Sequence, residues 1–551
     1  MNAPEPDPFP SAAAPEPLGG CVLVVDDELP NRAYLRKILT ARACQVLEAP
    51  DGAVALQLAR AHKPDLALVD VMMPGISGYE VCQAMKSDPA LQEIPLIMVT
   101  ARTDIADIEH AFLLGAFDYI RKPFNPRELI VRVRNALLLK RSTEEVRMWK
   151  QKMSRELEVA GSLQRKLFAA RPLLTETFEV RSVFQPSMNI GGDFFDVLPL
   201  ADGGLAVYTG DVSGHGVGPA MISSMLKVLL TDLIRAYAER GPAAICTELN
   251  IRFRRQVDNP EVYATLFLAL FDPVHEHWHC LNCGHPAPLF FTRRDAAPMT
   301  LGEQGDLPIG FADERGPGYT SENEMILAAP PGSLMFLYTD GLTEARRIAG
   351  GEDLGLEQLG RTVSALLLEP LLPNLPAATF ARVREAGYHL EADDCTALLV
   401  SRIAPDEIKM MSSIPPDHRH VADLAADCER ILLGLGWPDE AATATRLLVM
   451  EHAANAVDHG RLPVDATISL QLRVRGRTAC LLFRDAGREW DYDDGLEGAR
   501  LRAPDAPRGR GLNIIRNIAS HIEVFRRGSE NIAFYLVSAD FDTAKIAGTP
   551  L

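Results

Sequence analysis

Asp26 and Asp27 follow the apolar run Cys21 to Val25, Asp70 ends the run Leu66 to Val69, Thr100 ends Ile94 to Val99, and Lys122 comes just after Tyr119 and Ile120. Carboxylate oxygens are ligands for a hard divalent cation, while a lysine and a hydroxyl can each engage a phosphoryl oxygen. Together they read as a phospho-acceptor site. Asp26 and Asp27 hold the cation, Asp70 takes the phosphoryl group, Lys122 pairs with it and Thr100 bonds one of its oxygens. Unbroken apolar runs separated by helical patterns are strands buried on both faces of a parallel sheet, and such sheets carry function at the carboxyl ends of their strands. All five polar residues fall at those ends.

Four acidic motifs punctuate the middle of the chain: Gly191-Gly192-Asp193-Phe194-Phe195-Asp196, Gly210-Asp211-Val212-Ser213-Gly214-His215-Gly216, Thr339-Asp340-Gly341 and Asp393-Asp394-Cys395-Thr396. Carboxylates beside glycine suit Mg²⁺ or Mn²⁺. Two such ions about 4 Å apart can activate a water and neutralise a phosphoryl group under in-line attack, so no nucleophilic side chain is needed. Near the other end, Glu451, Asn455 and His459 recur every four residues on one helical face. Asp485-Ala486-Gly487 ends a strand-like run, and Gly509-Arg510-Gly511-Leu512 opens a helix. Glycines let backbone approach phosphate and helix N-terminal amides bind anions, while a pocket aspartate can accept a hydrogen bond from an adenine amino group. His275, His277, His279, Cys280, Cys283 and His285 offer zinc ligand types. Strand alternation, which puts Cys280 on the face opposite the first three histidines, argues against that reading.

The elements that must position these groups follow from composition and pattern. A chain of 551 residues with 47% hydrophobic content predicts three or four domains. The net charge of −18 argues against wholesale nucleic-acid binding. No uninterrupted apolar stretch approaches the roughly 18 residues that span a bilayer, the N-terminus lacks the segments of a signal peptide, and nine scattered cysteines suit buried free thiols. A cytoplasmic protein with no membrane contact and no disulfides is expected. Residues 1–19 are Pro-rich and read as a disordered tail. A receiver-like α/β unit spans 20–138, and a helical linker spans 139–172. On that linker Val146, Trp149, Met153, Leu157, Ala160, Leu163 and Leu167 recur at three- and four-residue intervals. This stripe faces either a twin helix in a parallel dimer or its own neighbouring domain. A mixed α+β domain follows over 173–403, and a last domain over 408–545.

These motifs carry three resemblances. Residues 20–138 resemble the response-regulator receiver domain with its flavodoxin-like sheet. That implies Mg²⁺ held by Asp26, Asp27, Asp70 and Met72, with Thr100 and the aromatic Tyr119 moving when Asp70 is phosphorylated. The middle motifs resemble the PPM-type serine/threonine phosphatases of the SpoIIE and RsbU branch, an α-β-β-α sandwich. There the likeness makes Asp211 the bridge between two Mg²⁺ or Mn²⁺ ions, with Val212 lending its carbonyl and Asp193, Asp340 and Asp394 completing the site. Ser213 stands where animal members carry a histidine. The last domain resembles the GHKL (Bergerat) ATPase α/β sandwich, most closely the RsbW-like anti-sigma serine kinases. This implies Glu451 as the base, Asn455 binding Mg²⁺, Asp485 reading adenine, and His459, Gly487, Gly509, Arg510, Gly511 and Leu512 about the ATP. Glu489 departs from the family, which usually has glycine there.

The combination is similar to the partner-switching response regulators of the HsbR and CrsR type. The implied activity is opposed dephosphorylation and phosphorylation of a serine on a STAS-domain anti-anti-sigma factor. Asp70 switches it, and an upstream histidine kinase or phosphotransfer protein supplies the phosphoryl group. The alternative is a phosphatase-only regulator whose last domain is a non-catalytic module binding a sigma factor or the STAS protein.

Overall fold

The computed structural model describes residues 17–101, 105–123, 125–168, 172–303, 305–312, 318–348, 350–369, 374–488 and 510–540. Most of the Pro-rich tail, residues 1–16, lies outside the described residues. The chain divides into two compact units, Met1–Glu156 and Leu157–Leu551.

The first unit alternates strand and helix: β1 (Cys21–Val25), α1 (Leu29–Thr40), β2 (Gln45–Ala49), α2 (Gly52–His62), β3 (Leu66–Asp70), α3 (Gly78–Ser87), β4 (Leu96–Thr100), α4 (Ile105–Leu113) and β5 (Asp118–Arg121). The strands are parallel in the order β2-β1-β3-β4-β5, the flavodoxin-like arrangement. β3 and β4 are buried at every residue, which is why their sequences show no polar alternation. Alternate β1 residues, Leu23 and Val25 against Val22 and Val24, feed the cores on the two faces.

α5 (Pro126–Leu167) is one continuous helix, with no break at the expected start of a linker near residue 139. Its first turns bury Leu129, Val133, Ala136 and Leu137 in the receiver core, whereas Val146, Trp149 and Met153 are exposed.

In the second unit two sheets stack to form the middle domain. β6 (Leu173–Leu174), β7 (Phe178–Gln185), β8 (Phe194–Pro199) and β9 (Leu205–Val212) precede α6 (Val217–Tyr237) and α7 (Pro242–Gln256). β10 (Ala264–Asp272), β11 (His277–Cys283), β12 (Leu289–Phe291), β13 (Met299–Thr300), β14 (Met325–Ala328) and β15 (Leu334–Tyr338) follow. Next come α8 (Asp340–Thr343), β16 (Arg346–Arg347), α9 (Gly355–Leu368), α10 (Leu375–Glu385), β17 (Tyr388–His389) and β18 (Cys395–Arg402). One sheet runs β14-β11-β10-β9-β8 and the other β13-β12-β15-β18-β7-β6. Their facing residues, among them Phe178, Phe267, Trp278 and Leu398, fill one core, which Tyr208 on the other face of β9 continues toward α6 and α7. The outer face of the second sheet packs on α9 and α10. By length and composition α6, continued to Arg240, is apolar enough to cross a membrane, contrary to the expectation that no stretch comes near. Its Leu226, Leu230, Leu233 and Ile234 are instead buried in the core beneath the first sheet.

The last domain is a five-stranded sheet, β19 (Ile408–Ile414), β20 (Ile468–Arg475), β21 (Thr478–Asp485), β22 (His521–Arg527) and β23 (Glu530–Ser538), in the order β19-β20-β21-β23-β22. α11 (His418–Gly434), α12 (Asp439–His459) and the helix Arg510–Ile518 cover one face. β21 alternates: Ala479, Leu481 and Phe483 meet those helices, while Cys480 and Leu482 join Phe534 and Leu536 around Leu174 of β6. The sheet is thus buried on both sides, one of them by the middle domain.

Candidate phosphoryl-transfer sites

At the carboxyl ends of β1 and β3, Asp26, Asp27 and Asp70 each bring a ligand atom within 4.8 Å of the others, the only such trio among the described residues. Lys122 Nζ lies 2.7 Å from Asp26 Oδ2 and 2.7 Å from Asp70 Oδ2. Burial raises the Asp70 pKa and the ammonium opposes it, with Asp26 adding to the rise. Three carboxylates answered by one ammonium retain an excess of negative charge, the donor set of a hard-cation site. Met72 donates its backbone N–H to Asp70 Oδ1 at 3.4 Å, its side chain pointing to solvent. Thr100 is buried at the end of β4, and Tyr119 is half-buried with Arg132 over its ring at 5.6 Å. Gly78 has a steric reason: a Cβ there would sit 2.1 Å from the Asp70 carbonyl oxygen.

In the middle domain the two sheets contribute opposite halves of an acidic cage. Asp193 precedes β8 and Asp211 lies near the end of β9, whereas Asp340 opens α8 just after β15, and Asp393 and Asp394 lead into β18. Asp193 Oδ2 accepts from Thr339 Oγ1 at 2.8 Å and Thr396 Oγ1 at 2.6 Å, tying one sheet to the other, while its buried Oδ1 has no partner. Burial pushes the Asp211 carboxyl to about 8, with Asp340, Asp393 and Asp394 adding repulsion. Asp193 is driven well up by burial and by Asp211, and Asp340 up by burial and by Asp393. No three of these carboxylates bring ligand atoms within 4.8 Å of one another, but their mutual repulsion and the buried oxygen left over are the donor chemistry that divalent cations would answer.

Two details depart from the sequence reading. Asp394 spends both oxygens on the chain itself, Oδ1 accepting from Ser187 N at 2.7 Å and Ser187 Oγ at 2.9 Å, and Oδ2 from Gly192 N at 2.6 Å. Exposed Asp393 is the member of the pair that acts most strongly on Asp340. Reading the sequence missed it, because tandem acids point to opposite sides and nothing in the sequence marks which side is the cage. Ser213 is engaged with backbone, its N donating to Tyr263 O at 2.9 Å and its Oγ accepting from Tyr263 N at 3.1 Å. Of the expected zinc types, Cys280 and Cys283 are buried in the core, and His285 Nδ1 pairs with Thr265 Oγ1 at 2.8 Å.

In the last domain α12 carries Glu451 and Asn455 half-buried and His459 exposed. Burial raises the Glu451 pKa. His452, overlooked in the sequence, anchors the helix: its Nδ1 pairs with Tyr535 OH at 2.7 Å and its ring lies 4.2 Å from that of Phe483. Asp485, at the end of β21, accepts from Gly487 N at 2.9 Å and Asn531 Nδ2 at 2.8 Å, both through Oδ1. Gly487 closes against α12's C-terminus, where a Cβ would meet the Gly460 carbonyl oxygen at 2.7 Å. Gly509, Glu489 and the side chains of Arg510, Gly511 and Leu512 lie outside the described residues.

Three family models match in order: Response regulator receiver domain over residues 22–134, Stage II sporulation protein E (SpoIIE) over 201–403 and Histidine kinase-like ATPase domain over 414–533. A probable transcriptional regulator ycf27 of Cyanophora paradoxa is 43% identical over 116 residues, 21% of this chain and 47% of that protein. The chain thus spans about half the length of the curated relatives it matches. A response regulator structure from Chloroflexus aurantiacus is 37% identical, covering 22% of this chain and 98% of that one, with TM-score 0.21. The RsbU and RsbW domains of Rv1364c from Mycobacterium tuberculosis align over 66% of this chain and 93% of that one, at 21% identity and TM-score 0.39. The chain carries a response regulator receiver domain, a SpoIIE domain and a histidine kinase-like ATPase domain, in that order.

Proposed function

We propose that this response regulator governs a partner-switching pathway, its SpoIIE domain removing and its ATPase domain adding a phosphoryl group on one serine of a STAS-domain anti-anti-sigma factor. The observation that carries the reading is the cage of Asp193, Asp211, Asp340 and Asp393, whose mutual repulsion and unpartnered Asp193 oxygen call for cations. Bound Mg²⁺ or Mn²⁺ supplies Lewis acidity and an activated water. Asp211 would hold the ions together with Asp340 and Asp393, while Asp193 aligns the two sheets through Thr339 and Thr396 and Asp394 fixes the Gly191-Gly192 loop that shapes the cage. In the ATPase domain Glu451 orients the substrate serine hydroxyl, Asn455 takes Mg²⁺ and Asp485 reads adenine, so catalysis rests on positioning and charge.

An upstream histidine kinase or phosphotransfer protein phosphorylates Asp70, and α5 relays that event to the phosphatase. The exposed Val146, Trp149 and Met153 on α5 support pairing with a second copy through that helix. The pathway runs in the cytoplasm.

Incubation of the full chain with its phosphorylated STAS partner in Mn²⁺ tests the phosphatase, which Asp211→Ala should abolish. Labelled ATP with the unphosphorylated partner tests the kinase: Glu451→Ala should lose label transfer while keeping partner binding. Unchanged labelling in that variant removes Glu451 from its role, and no labelling by the parent protein leaves the last domain a binding module.

A further inference from the structure

We propose that the junction between the phosphatase and ATPase domains holds a binding site for a small oxyanion of the phosphate class, built around Arg294, Arg473 and Arg475. A cavity of ≈ 270 Å³ opens there, and Arg294 reaches it from the segment between β12 and β13, Arg473 and Arg475 from β20. In a chain of net charge −18, this cavity gathers five arginines against three carboxylates.

The ion pairs leave one arginine, Arg294, and one carboxylate, the exposed Asp406, over. Arg293 is answered by Asp295 and Arg402 by Glu276, Arg473 by Glu179 and Arg475 by Glu407. Arg294 has no hydrogen-bond or ion-pair partner among the described residues. Beside it, Arg473 Nε and Arg475 Nη1 are buried donors without an acceptor. A buried donor left unmade is destabilising, the more so when it belongs to a charged group. The strain shows in Arg294 itself, whose pKa burial lowers to about 10, with Arg475 and Arg473 pulling the same way and Glu407 and Glu179 opposing them.

One ligand type would satisfy all three arginines. An oxyanion offers several acceptor oxygens, and the planar guanidinium fork engages such oxygens two at a time. Drug-sized ligands occupy pockets of roughly 300–1,000 Å³, so a cavity below that range favours an inorganic ion over a nucleotide. Because Arg294 belongs to the phosphatase and the other two to the ATPase domain, the ion would bridge the two domains. The site stands apart from both catalytic assignments, although phosphate is what a phosphatase releases.

The test is calorimetric titration of inorganic phosphate into the full-length chain, in EDTA without nucleotide and with ionic strength matched by chloride, so that cation-dependent sites stay silent. Saturable binding is expected, weakened at least tenfold by Arg294→Gln. Glu407→Gln should tighten it by releasing Arg475 from its internal partner, a gain that misfolding cannot produce. Phosphoserine, titrated in parallel, should bind more weakly than the inorganic ion. Absent saturable binding, equal affinity in Arg294→Gln and parent, no gain in Glu407→Gln, or tighter binding of phosphoserine would each overturn the proposal.

Discussion

The Gln164 side chain and the Gly191 backbone exchange two hydrogen bonds, Nε2 donating to Gly191 O at 2.7 Å and Oε1 accepting from Gly191 N at 3.0 Å. The helix comes this close because of Gly161, where a Cβ would lie 2.1 Å from the Asn189 carbonyl oxygen. The next residue, Gly192, donates to Asp394, and Asp193 follows with its unpartnered oxygen. The end of α5 therefore grips the loop that shapes the acidic cage. Gln164→Ala leaves a buried N–H and a buried carbonyl with fewer partners, at about 1–3 kcal/mol each. We expect phosphatase turnover to fall at least tenfold and the Mn²⁺ concentration for half-maximal rate to rise. A rate and metal dependence like those of the parent would separate the grip from the cage.

The two adjacent aspartates before β18 should behave differently. Asp393 is exposed and accepts few contacts, so Asp393→Asn should cost little stability while cutting phosphatase activity by two orders of magnitude or more. Asp394 is buried and receives Gly192 N, Ser187 N and Ser187 Oγ. Asp394→Asn exchanges one acceptor oxygen for an NH₂ donor and weakens charge-assisted bonds worth roughly 1.5–3 kcal/mol each. Thermal denaturation beside the rate measurement distinguishes them: only the second variant should melt several degrees lower.

How much of this could be read from the sequence depends on whether a residue's environment is local. β3 and β4 were legible because burial on both faces leaves nothing but apolar side chains, and Asp70 and Thr100 then fall at their ends. The start of α5 was not, because one helical period continues while its surroundings change from receiver core at Leu137 to solvent at Val146. Glu179 and Arg181 were invisible as a feature, since charges in a strand read as a solvated face. Their partners Arg473 and Glu523 lie some three hundred residues away, and no spacing rule reaches that far.

In the receiver, Lys122 bonds Asp26 and Asp70 at once. Lys122→Gln removes the ammonium that opposes the burial-driven rise of Asp70, so the Asp70 pKa rises further and the pairing that orients its carboxylate is lost. Incorporation of phosphoryl from acetyl phosphate in Mg²⁺ should slow at least tenfold. Asp70→Ala should abolish it, and with it any response of phosphatase rate to the phosphodonor. A variant of Lys122 that is labelled at the parent rate would remove the lysine from the site.

Glu179 of β7 is the hub of the contact between phosphatase and ATPase domains. It pairs with Arg181 at 2.9 Å and with Arg473 of β20 at 2.8 Å, while Arg181 also binds Glu523 of β22 and lies 4.3 Å from the Phe534 ring centre. Burial raises the Glu179 pKa, but Arg473 and Arg181 outweigh it and hold the carboxyl at about 2 against an ordinary 4.5. A folded pKa below the unfolded one means stability that is complete above about 4.5 and drains away as pH falls toward 2, roughly 3 kcal/mol over the window. Glu179→Gln leaves two guanidinium groups buried with Glu523 as their one remaining carboxylate, a loss of about 3–5 kcal/mol at neutral pH. Urea unfolding of the full chain at pH 7, 5 and 3 measures both effects. The parent should lose stability chiefly below pH 4.5, whereas the variant should start weaker and show a flatter acid slope. Equal midpoints at pH 7 would mean that the apolar contact of Leu174 with Leu482, Phe534 and Leu536 holds the two domains together without the charges.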